Sequence, residues 1–186
     1  MSGVAVRLAG VALAAGLIAG PALADSLHMF SYDPADSGTR TAAGPLTFTF
    51  SKGLLRNTVL NIRSTEAPAT ADLKRVDERG LGRGGLNAVI GARAPERDLY
   101  QVETADQGEA LVSAFCPGSK QAWMVFGRLK LNRDLKVLVL GEPAKGGPVT
   151  LCRTLSFAFH GEWAFPAGRP IDPRDVTPPT RYPGAK

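Results

Sequence analysis

The feature that most restricts the fold is a period-two alternation of apolar and polar side chains. Leu46, Phe48 and Phe50 alternate with Thr47, Thr49 and Ser51, so one face is apolar and the other hydroxylic. Residues 57–64 are β-branched and partly alternating, and residues 98–103 and 109–115 are further short strand candidates. Over residues 122–131, Trp123, Val125, Leu129 and Leu131 share one face, with Arg128 and Lys130 on the other. Asn132, Arg133 and Asp134 then read as a turn and residues 135–140 as a returning strand, which together make a hairpin. Residues 149–159 are the longest run, with Leu151, Leu155, Phe157 and Phe159 on one face. Arg153 interrupts that face and marks a bulge or strand end. Helix signals are few. Residues 70–79 predict one short helix capped by Thr70, with Leu73 and Val76 on one face and Gly80 as its stop; Leu86, Val89 and Ile90 predict one further turn. Short strands separated by Gly, Pro, Asn and Asp predict a mainly β protein, a single-domain antiparallel sandwich or small barrel with at most one or two short helices.

The two ends of the chain differ from this body. Arg7 precedes an uncharged run from Leu8 to Gly20, Pro21 breaks it, and Ala22, Leu23 and Ala24 supply a small-residue cleavage site. That order predicts a Sec-type signal peptide over residues 1–24, and hence a periplasmic or extracellular protein of bacterial type with no stable membrane span after cleavage. The apolar run is short for a membrane anchor and is interrupted by Gly16, Gly20 and Pro21. At the other end, Pro166, Pro170, Pro173, Pro178, Pro179 and Pro183 predict a tail over residues 166–186 that makes no regular ladder. The β domain is therefore expected over residues 25–165, long enough for one adequate core.

The chain has 2 cysteines, Cys116 and Cys152. In an exported chain they are expected to pair with each other, closing a ring of roughly 37 residues worth up to about 3.8 kcal/mol in loop entropy. On strands over 109–116 and 149–160, both cysteines fall on the face with smaller side chains (Ala110, Val112 and Ala114; Thr150, Thr154, Ser156 and Ala158). Small faces permit the close backbone approach that a disulfide needs.

Charge is unevenly spread along a chain of net +5. Residues 25–115 hold slightly more acids than bases. Residues 116–153 carry Lys120, Arg128, Lys130, Arg133, Lys136, Lys145 and Arg153 against Asp134 and Glu142. The hairpin is expected to gather Arg128, Lys130, Arg133 and Lys136 on one side as a binding face for an anionic partner. Nucleic acid is not expected outside the cytoplasm. Signatures of enzymes are sparse: the chain contains no Gly-x-Ser-x-Gly, Ser-x-x-Lys, His-Glu-x-x-His or Cys-x-x-Cys. With 2 histidines and paired cysteines, neither a metal site nor a cofactor is expected. Residues 80–85 match Gly-x-Gly-x-x-Gly, but such a motif needs a strand before it and a long helix after it, so a plain loop is expected. The weak catalytic candidates are His160 and Glu162, two positions apart, as a base and its acid. Trp123 and Trp163 are expected to pack rather than stack on sugars. These observations predict an exported, non-enzymatic binding or accessory protein of the cell envelope, its partner an anionic envelope component or another protein. The alternative is a small envelope hydrolase that uses His160 with a nearby acid.

Overall fold

A computed structural model describes residues 26–53, 57–66 and 69–164. The expected signal peptide and the proline-rich tail lie outside the described residues. Eight strands follow one another around a closed antiparallel barrel: β1 (Ser26–Pro34), β2 (Leu46–Lys52), β3 (Asn57–Ser64), β4 (Ala69–Arg75), β5 (Asp98–Val102), β6 (Ser119–Phe126), β7 (Leu135–Pro143) and β8 (Thr150–Ala164). Each pairs with its neighbour in sequence, and β8 returns to β1, where Met29 sits opposite Trp163 and Tyr32 opposite Phe159. The mainly β, small-barrel expectation is correct. The described residues contain three short helices rather than one or two: α1 (Ser37–Ala43), α2 (Gly85–Ile90) and α3 (Gly108–Phe115).

Strand alternation sorts side chains into and out of the barrel. Phe30, Tyr32, Leu46, Phe48, Phe50, Tyr100, Phe126 and Phe157 are buried in one core. Six of the rings form a continuous chain: Phe50 meets Phe30 at 4.6 Å, Tyr32 joins Phe30 at 6.5 Å to Phe48 at 5.9 Å, Phe48 meets Phe126 at 5.3 Å, and Tyr100 stacks on Phe126 at 4.9 Å. An eight-stranded barrel is just wide enough for side chains to fill it, and aromatics fill this one. In an up-and-down barrel the connections alternate between the two ends. The connections bearing α1 and α3 share one end, where Ala42, Ala43, Leu111, Val112 and Phe115 join the core. The β6–β7 connection opens at the other end, together with the first residues of β1 and the last of β8. A second apolar cluster lies outside the wall. There, Leu99, Trp123, Val125, Leu138 and Leu140 on β5–β7 are covered by Leu81 and by Leu86 of α2.

Four sequence expectations change. Residues 70–79 are not a helix: Ala69, Ala71 and Leu73 of β4 point to the core, and β3 pairs Ile62 with Ala71 and Asn61 with Asp72. Leu73 and Val76 alone were too few to set a helical stripe, and alternation with a ladder partner prevails. Only a 3-10 turn, Glu78–Leu81, follows, with the Asp77 carboxylate accepting from the Arg79 N–H. Residues 109–115 are not a strand but α3, whose Leu111, Val112 and Phe115 fall on one helical face. The run is rich in the helix formers Ala, Leu and Glu, and Glu109 lies favourably in the first turn. The strand expected over 122–131 ends at Phe126, so residues 127–134 are a loop. Leu151, expected on a buried face, is exposed on the wall opposite Leu140.

The predicted interruption near Arg153 is present. Val139 pairs with Arg153 and Leu140 with Leu151, which leaves Cys152 as the extra residue of a β-bulge. Cys152 is disulfide-bonded to Cys116 at the end of α3, with the Cα atoms 5.4 Å apart. Arg153 donates through Nε to the Phe115 carbonyl at 3.0 Å, a cation placed on the C-terminal end of α3. The disulfide therefore ties a helix to the wall rather than one strand to another.

Candidate functional site

Sorting the cations of residues 116–153 by what they touch leaves Arg128, Lys130, Arg133 and Lys145 without a described hydrogen bond or ion pair, and the first three lie in one loop. Lys120 pairs with Glu142 at 2.8 Å, and Arg153 is committed to α3. Lys136 extends from β7 to Glu96 at 3.8 Å, a carboxylate that is itself buried, so it is held at the wall rather than offered with the loop. Arg128, Lys130 and Arg133 make no hydrogen bond or ion pair among the described residues, and all three are exposed. They occupy the single loop of residues 127–134.

The loop has a definite shape for local reasons. Gly127 ends β6. Leu129 turns inward and is 5% exposed, packed in the barrel core between the outward-facing Arg128 and Lys130. Asn132 takes up φ 53°, the left-handed conformation that asparagine tolerates better than most residues, and this reverses the chain. Asp134 accepts a hydrogen bond from the Phe159 N–H of β8 at 3.1 Å. The loop is thus pinned at Leu129 and at Asp134, and residues 130–133 form its tip. Leu131 stands at that tip, 54% exposed.

The two histidines lie elsewhere, on the β1–β8 seam. His28 on β1 meets Glu162 on β8 at 2.8 Å, with its ring stacked on Phe50. His160 on β8 meets Asp33 on β1 at 2.7 Å. The ladder passes from Phe159, opposite Tyr32, to Gly161, opposite Ser31, so His160 is the extra residue of a bulge. The proposed base and acid are therefore separated, each bound to a different partner. His160 and Asp33 are exposed, whereas His28 is buried. Each pair crosses the seam and helps to hold the last strand to the first.

Three surface clefts are lined by other residues. A cleft of about 340 Å³ lies between β3–β4 and the approach to α3, with Arg63, Asp72, Glu103 and Gln107 on its walls. Its polar groups hold elements together: Asn61 donates to Asp72 at 3.1 Å, and Gln107 accepts from the Thr70 N–H at 3.1 Å. The adjoining cleft contains Ser64 and Thr65, and a third contains Gln101 and Trp123. None of these three is lined by His28, His160 or Glu162. The glycine-rich segment 80–85 joins the 3-10 turn to α2, a helix of 6 residues, far shorter than a nucleotide-binding motif requires. No family, curated protein or solved structure matches the chain.

Proposed function

We propose that this chain is an exported, non-enzymatic binding or accessory protein of the cell envelope whose 127–134 loop docks on an anionic partner. One observation carries the reading: Arg128, Lys130 and Arg133 stand exposed on one pinned loop, none of them in an ion pair among the described residues, with Asp134 the loop's one acid. Like charges held together repel, and a loop rigid enough to keep them together offers a partner several contacts at once. Two further features support it. A disulfide suits an oxidising compartment outside the cytoplasm. On β3–β4 the wall carries Arg63, Thr70, Asp72 and Lys74 on its outer side, where the outward band of a lipid-embedded barrel would be apolar. The hydrolase alternative retains His160 with Asp33 beside it, but without Glu162 and outside the three clefts.

The test compares the mature chain with a triple R128S, K130S, R133S variant. Both are assayed on anionic vesicles, neutral vesicles and cell-wall preparations, at low and high salt. Wild type is expected to bind anionic material at low salt and release it at high salt, because exposed charges are screened over about 8 Å at physiological ionic strength. The variant is expected to bind weakly throughout. Equal binding by the two proteins, or indifference to salt, would remove the proposal.

A further inference from the structure

We infer that the anionic partner of the 127–134 loop is a phospholipid bilayer surface, with Leu131 inserted between headgroups; this rests on the proposed function above. The argument begins with the composition of the loop tip. Lys130 and Arg133 flank a leucine that is 54% exposed, and among the described residues only Leu131 and Leu151 are large hydrophobic side chains so exposed. Leu151 lies on the barrel wall, paired in the ladder with Leu140. Leu131 is in a turn, and no ladder fixes its place.

The tip itself is not loose. Leu129 is buried two residues before Leu131, and Asp134 is bonded to β8 three residues after it. The left-handed Asn132 makes the sharp reversal that projects the leucine away from the wall. A soluble polyanion would use the three cations and gain nothing from an apolar tip. A bilayer uses both, since interfacial binding grows with buried apolar area and with attraction to anionic headgroups. Each cation near such a surface is worth about fivefold in affinity. Burying the leucine is worth about tenfold or more.

The experiment uses co-flotation with vesicles of phosphatidylcholine alone and of phosphatidylcholine with phosphatidylglycerol. Soluble polyphosphate serves as a polyanion without an apolar phase. The proteins are wild type, L131S, L131W and the triple cation variant, each checked for an unchanged thermal midpoint. The inference expects L131S to lose about tenfold or more on anionic vesicles while keeping its affinity for polyphosphate. It expects L131W to bind those vesicles at least as well as wild type, since tryptophan also suits the interface. If L131S floats as well as wild type while the triple variant does not, the lipid inference falls and the anionic reading stands. If the triple variant also floats like wild type, both fall. If wild type binds polyphosphate or cell-wall polymer but no vesicle, the lipid inference is again overturned and the anionic reading is kept.

Discussion

Tyr32 carries its phenol into the aromatic interior, where the hydroxyl is buried without a hydrogen-bond partner among the described residues. Burial pushes this phenol well above its ordinary ionisation range, and the Asp134 carboxylate nearby adds to the rise. A buried, unmet hydroxyl costs folding free energy, so Tyr32→Phe should leave stability unchanged or raise it by about 1 kcal/mol, as chemical denaturation would measure. A loss of more than that would show the hydroxyl to be doing something useful. Gly141 presents the opposite constraint. It pairs with Ala122 on β6 and Thr150 on β8, and a methyl group there would run into both disulfide sulfurs and the Ser119 hydroxyl. Gly141→Ala should destabilise the oxidised protein by about 1–3 kcal/mol through overpacking. The corresponding loss should be smaller in a Cys116→Ser, Cys152→Ala background. The small residue that admits the disulfide was thus Gly141 on β7 rather than the small faces of the cysteine-bearing segments.

Among the elements, the strands were most legible where the local pattern is strong and the ladder runs to its end: clean alternation in β2, a β-branched, partly alternating run in β3 and a continuous apolar run in β7. β1 was missed because Met29 is apolar among the inward His28, Phe30 and Tyr32, which blurs the period. The segment that became α3 does not alternate: its polar Glu109 and Ser113 are four apart, a helical spacing, and its Leu111, Val112 and Phe115 meet the core. Leu131 shows what a pattern cannot carry. Its parity matches Trp123 and Val125, yet β6 stops at Phe126, so the residue that parity would bury stands in solvent. The loop's cations were legible as charges, but which of them are unmatched depended on where Glu96, Glu142 and Phe115 fell. Helix α1 offers a test at this scale. The Asp36 carboxylate accepts from the Thr39 N–H at 2.7 Å and from its hydroxyl at 2.9 Å. Thr39 Oγ1 in turn accepts from the Ser156 N–H of β8. The Thr39 N–H bond, then the hydroxyl bond, holds the Asp36 carboxyl below its ordinary range. A carboxyl more acidic when folded stabilises the fold above its unfolded value, and that contribution disappears as pH falls through the folded value. Asp36→Ala should therefore unfold at lower denaturant than wild type at neutral pH, with the gap closing below about pH 4. A gap independent of pH would place the effect elsewhere than in the ionised cap.

For the whole molecule, closure depends on bringing the first strand to the last. His28 and Glu162 are 134 positions apart, and Asp33 and His160 are 127 apart. Such contacts are expensive in chain entropy until the rest of the barrel is formed. The alternation of single strands could suggest a barrel or a sandwich, but this long-range pairing decides between them, and no local pattern encodes it. The sequence did contain both histidines and their carboxylates, but proximity along the chain joined His160 to Glu162, when the bulge at His160 and the register of β1 assign each a different partner. The two pairs should differ in energy because their settings differ. His28 is buried against Phe50, so removing its ring leaves Glu162 without its partner and opens a gap beside an aromatic ring. Asp33 and His160 face water, where such a pair typically contributes 0–1 kcal/mol. A double-mutant cycle with His28→Ala and Glu162→Gln should therefore give a coupling of about 1 kcal/mol or more, and a cycle with His160→Ala and Asp33→Asn should give less than about 0.5 kcal/mol. Equilibrium denaturation of the four single and two double variants measures both. If the exposed pair proved the more strongly coupled, the seam would be clasped from outside, and His160 would warrant renewed attention as a residue held in place for chemistry.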